Sequence, residues 1–122
     1  MQQPVEQWIL TTLYEAGKDQ HDTYRVFQSL RKHMYTVTDV THMLSYITND
    51  VHYKPVEELA DDCFFVICKF CAYLNIRAVR TGAPDCKFYS VLGKESFRKS
   101  GFPNIADDWL FWVSYVQERF NI

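Results

Sequence analysis

Asp61–Asn75 reads DDCFFVICKFCAYLN and holds three of the chain's four cysteines and three of its nine phenylalanines. Two readings compete for it. In the first, Cys63-x4-Cys68-x2-Cys71 with Cys86 downstream copies the ligand spacing of a plant-type iron–sulfur run. A cluster needs its ligands on a loop that wraps the metal, and a structural zinc uses two close pairs, or one pair with a histidine pair. The intervening residues here are Phe, Val, Ile, Lys and Phe, with no glycine, and Cys86 stands alone. The histidines, His21, His33, His42 and His52, never pair at helical spacing. A redox Cys-x-x-Cys wants exposure near a helix N-terminus, whereas Cys68 and Cys71 sit toward the far end of the run.

In the second reading the stretch is a buried helix. At about 100° per residue, Leu59, Cys63, Val66, Ile67, Phe70 and Leu74 share one face. Phe64, Phe65, Cys68, Cys71 and Ala72 cover most of the rest, and only Asp61, Asp62 and Lys69 interrupt the apolar surface. A helix apolar nearly all round packs on several sides at once. Cysteine fills such positions as a small hydrophobe. The helix reading is therefore adopted, with no metal, no cofactor and four free thiols expected.

Pro55 opens this helix, and Glu57, Glu58, Asp61 and Asp62 suit the positive end of its dipole. The span expected is 56–74, with Asn75 as a left-handed C-cap. Upstream, Pro4 and Gly17 bracket a helix whose stripe is Val5, Trp8, Ile9, Thr12, Leu13 and Ala16. A second helix starts near Asp22 as N-cap, with Val26, Phe27, Leu30 and Met34 inward. After the hinge at 34–39, Asp39 enters a third helix whose stripe is Val40, Met43, Leu44 and Ile47, ending at 48–50.

Downstream, IRAVRTGAPDCKFYSVL carries β-rich runs at 76–81 and 87–92 around Gly-Ala-Pro-Asp, which predicts a β-hairpin. GKESFRKSGFPN (93–104) reads as a basic turn or short helix. A last helix is capped by Asn104 with Asp107 in the capping-box position. Its stripe is Ile105, Trp109, Trp112, Val113, Val116 and Phe120. The expected fold is mainly α (α+β): a single globular domain, 1–122, of about five helices around 56–74 with one hairpin on its flank. At 122 residues the chain buries roughly two-thirds of its unfolded surface, enough for a core without a metal or disulfide.

Charge is unevenly spread. Net charge is −2, yet residues 69–99 carry seven basic and two acidic side chains, while 1–68 carry five and ten. The basic block can meet an acidic surface or phosphates, or simply balance the acids elsewhere. Three helices, a helix and a basic hairpin follow the outline of a winged-helix domain. Its recognition helix would then be the most apolar in the chain and begin with acids, unsuited to a major groove.

No catalytic motif occurs: no Gly-x-Ser-x-Gly, no phosphate loop and no His-Glu-x-x-His. The opening MQQPVEQWIL has no signal-peptide pattern and no window is a membrane span, so a cytoplasmic protein is expected. The function expected is non-catalytic: protein–protein binding, as an adaptor or inhibitor. Its candidate surface is Arg77, Arg80, Lys87, Tyr89, Lys94, Phe97, Arg98 and Lys99, facing an acidic protein partner. Nucleic-acid binding through the same stretch is the alternative, and the aromatic C-terminal helix is a candidate for self-association.

Overall fold

A computed structural model describes residues 4–33, 40–49, 54–120 and 122, with the backbone alone at 41, 42, 46, 48 and 49. Seven helices lie among them: α1 (Pro4–Tyr14), α2 (Gln20–His33), α3 (Val40–Asn49), α4 (Val56–Thr81), α5 (Cys86–Lys99), α6 (Pro103–Asp107) and α7 (Trp109–Phe120). The hinge at 34–39 with Met34 and Asp39, Asp50, His52 and the His42 side chain lie outside the described residues.

The centre of the fold is the first half of α4. Cys63, Phe64, Phe65, Val66, Ile67 and Cys68 are six successive buried residues, which only a helix enclosed on several sides allows. It packs against α2, α3, α5 and α7. The Phe64 ring meets Phe97 of α5 and Trp109 of α7 edge-on, with centroids 6.3 and 5.5 Å away. Each such fully buried side chain contributes about 1.5–3 kcal/mol of transfer free energy.

Two other stripes are buried as the spacing requires. Val40, Met43, Leu44 and Ile47 of α3 are all inside, as are Ile105, Trp109, Trp112, Val113, Val116 and Phe120 at the C-terminal end. Two helix details differ from expectation. Asp19, not Asp22, caps α2: its Oδ1 accepts the Asp22 N–H at 3.0 Å. In α1, Ile9, Thr12 and Leu13 are buried but Val5 and Trp8 are exposed. Asp108 separates α6 from α7, so the expected single last helix is two.

The β-hairpin is overturned. Residues 76–81 continue α4, residues 87–92 lie within α5, and no strand occurs among the described residues. The turn signals serve a helical hairpin instead. Gly82 takes the left-handed C-terminal position (φ 74) and donates to Ala78 O at 2.9 Å. Asp85 caps α5 by accepting the Phe88 N–H at 3.0 Å. Asn75, expected to end α4, lies inside it and accepts the Cys86 N–H at 3.1 Å through Oδ1. The basic turn at 93–104 is largely the second half of α5.

Helix α4 bends at Phe70 (φ −122, ψ 17). The bend falls where Gln117 Nε2 of α7 donates to Cys68 O at 3.1 Å, a side chain bonding into the backbone ladder. Beyond it, Cys71 is joined to Cys86 by a disulfide. The expectation of four free thiols is thus corrected: Cys63 and Cys68 are free and buried, the other two are bonded.

Candidate functional site

The eight residues expected to form a binding surface divide into core and exterior. Tyr89 and Phe97 are 0 % exposed, because their i, i+4, i+8 spacing with Gly93 turns them toward α4. Phe97 lies against Phe64 and Trp109. Burial pushes the Tyr89 phenol up, and the Arg77 hydrogen bond and charge only partly oppose it. These two are corrections: they support the fold and cannot meet a partner. Arg98 is exposed but ion-paired with Asp107 at 3.0 Å. Arg77 and Lys94 are half-buried, and Arg80, Lys87 and Lys99 are exposed.

The residues expected on a β-hairpin lie on α4 and α5 instead. The two helices pack closely together, yet large apolar side chains point away from both. Val79 is 89 % exposed, Ile76 58 %, Val91 52 % and Phe88 45 %. Tyr73, Ile76, Arg77, Arg80 and Thr81 line a shallow depression of about 340 Å³. Lys87, Phe88, Val91, Leu92 and Lys99, with Asp85 and Glu95, line a second of about 530 Å³. Arg77 is positioned by a long hydrogen bond from Nη2 to Tyr89 Oη, 3.4 Å. On α7, Leu110 and Phe111 are also exposed. Phe111 stacks on Tyr115 and lies beneath Lys18 Nζ.

A second constellation was not foreseen. Asp61 and Asp62, expected as dipole-stabilising acids in the first two turns, anchor a buried polar network between α2 and α4. Arg25 Nη1 lies 2.5 Å from Asp61 Oδ1, and Nη2 donates to Glu57 O at 3.1 Å. The Ser29 hydroxyl accepts from Arg25 at 3.1 Å and donates to Asp61 at 2.6 Å. The Arg25 guanidinium also covers the rings of Phe97 and Phe102. Asp62 Oδ1 lies 2.5 Å from His33 Nε2, while Oδ2 contacts Lys54 Nζ, whose side chain is only 2 % exposed. Burial alone would raise the Asp62 pKa. Hydrogen bonds from His33 and Lys54, and their charges, outweigh it and hold the carboxyl below its ordinary 3.8. The clue in the sequence was a pair of aspartates inside an otherwise apolar run. These groups are spent on one another, joining helices rather than facing a cleft.

Among the described residues, no three His, Cys, Asp or Glu side chains gather as metal ligands would, and no helix is long and apolar enough to cross a membrane. Comparison with protein-family models, with curated proteins and with solved structures gave no match.

Proposed function

We propose that this chain is a small non-catalytic binding protein that engages a protein partner through the outer face of the α4–α5 helical hairpin. The observation that carries the reading is the exposure of Ile76, Val79, Phe88 and Val91 together with Arg80 and Lys87 on two consecutive helices. Single exposed apolar residues are ordinary on any protein. Several on one hairpin, among cations, make a surface that desolvation and charge can both bind. Its charge favours an acidic partner, docked as a helix face or strip against the two depressions. The closed Cys71–Cys86 bond favours an oxidising compartment over the cytoplasm expected from the sequence.

Nucleic acid is the second reading, because Arg80, Lys87 and Lys99 can contact phosphate. It has lost the strands that gave it a winged-helix outline. The test is affinity capture from the native host with wild type, Val79→Asp and Arg80→Glu/Lys87→Glu, followed by mass spectrometry and nucleic-acid detection on the same eluate. Loss of a specific protein in both variants, with unchanged melting temperature, supports the reading. Identical capture by all three would sink it. Recovered nucleic acid whose retention falls steeply with salt would favour the alternative.

A further inference from the structure

The disulfide lies at a mechanically particular place. Cys71 is the first residue beyond the bend at Phe70, and Cys86 is the first residue of α5, with their Cα atoms 5.4 Å apart. In the distal half of α4, Cys71–Thr81, only Leu74 is buried. Eleven residues is a length at which a helix without tertiary support is marginal in water. Besides its packing on α5, its side-chain hydrogen bonds to that helix are Asn75 Oδ1 to the Cys86 N–H and the 3.4 Å contact of Arg77 with Tyr89. Cys71 and Cys86 are half-buried, within reach of a small reductant. Cys63 and Cys68 are buried, and burial pushes both thiols far up, so neither supplies a thiolate to reshuffle the bond.

We infer that the Cys71–Cys86 bond is a redox clasp, which when closed holds the distal half of α4 on α5 and when opened by a dithiol reductant lets Asn75–Thr81 fray. The step balances. A thiolate of the reductant attacks one of the two sulfurs, breaking the S–S bond and forming a mixed disulfide. The reductant's second thiol then attacks its own bonded sulfur and leaves as part of a cyclic disulfide. Two electrons pass to Cys71 and Cys86, which end as thiols carrying the two protons the reductant gave up. Ile76, Val79 and Arg80 ride on the released segment. Resting on the docking reading above, opening the clasp therefore also removes half of the binding face.

Hydrogen exchange with mass spectrometry on the full chain tests this. The samples are the protein under non-reducing conditions, the same protein with dithiothreitol, and Cys71→Ser/Cys86→Ser. The expected result is exchange at least tenfold faster across 75–81 in both opened forms, with α7 unchanged. Unchanged exchange at 75–81 overturns the inference. So does equal acceleration in α7, which would make the bond a staple of the whole fold. Four titratable thiols in protein denatured without reductant would also overturn it. Should exchange at 75–81 respond while the same proteins are captured with and without dithiothreitol, the clasp stands and the docking reading fails.

Discussion

Gly93 of α5 lies flat against the indole of Trp109 of α7. A Cβ placed on Gly93 would sit 2.5 Å from Trp109 Cη2 and 3.0 Å from the Cys63 Cβ. In an exposed helix, glycine to alanine would stabilise by about 1 kcal/mol. Here Trp109 is buried and has nowhere to move. Gly93→Ala is expected to destabilise by about 1–3 kcal/mol, as overpacking of a full core does. Urea denaturation checks it; a variant as stable as wild type would mean the three helices are not packed this closely.

Asp62 gives a pH prediction. Its carboxyl titrates below its ordinary 3.8 because His33 and Lys54 bond to its ionised form. The stability this contributes is complete above about pH 4, the unfolded value, and is lost as pH falls through the lower folded value. Asp62→Asn should cost about 3–5 kcal/mol at neutral pH, since it removes the buried carboxylate that His33 and Lys54 both contact. The variant should then lose less further stability than wild type between pH 5 and pH 2. Parallel acid limbs in urea melts would remove Asp62 from the network.

The two free thiols give a third. Cys63 and Cys68 are buried, and burial disfavours their thiolates. Only the thiolate attacks a disulfide reagent. Native protein should show no fast-reacting thiol toward Ellman's reagent, and denatured, unreduced protein should show two. Rapid reaction of either thiol in the native state would place it at the surface.

The central helix was legible because Cys63–Cys68 are all residue types that tolerate full burial, so composition and periodicity agreed. The segment after it carries strand-like signals for a physical reason. Gly-Ala-Pro-Asp punctuates an αα hairpin as well as a ββ one, since Gly suits a helix end and Asp a helix start. Ile76, Val79 and Val91 favour strands by only fractions of a kcal/mol. The decisive signal was the helical spacing of Tyr89, Gly93, Ser96 and Phe97, all buried in α5; taking Gly93 as a boundary cut that pattern in two. The Cys71–Cys86 bond and the Arg25–Asp61 pair join residues distant in sequence, and no local spacing announces them. Arg80, Lys87 and Lys99 are exposed, as the charge pattern suggests, but they stand on helices rather than on strands and a turn.

The division of the expected surface into core and exterior is itself testable. Phe97 is wholly buried between Phe64, Trp109 and the Arg25 guanidinium. Phe97→Ala removes a ring that three elements share, and should cost about 3–5 kcal/mol through lost transfer energy and the cavity left behind. Arg80→Ala and Lys87→Ala remove side chains that make no ion pair among the described residues, and each should change stability by less than about 0.5 kcal/mol. Urea midpoints for the three variants separate the cases. A small loss at Phe97 would put its ring at the surface, where the sequence reading had it. A loss at Arg80 or Lys87 comparable with that at Phe97 would mean that side chain is a packed part of the fold and not available to a partner.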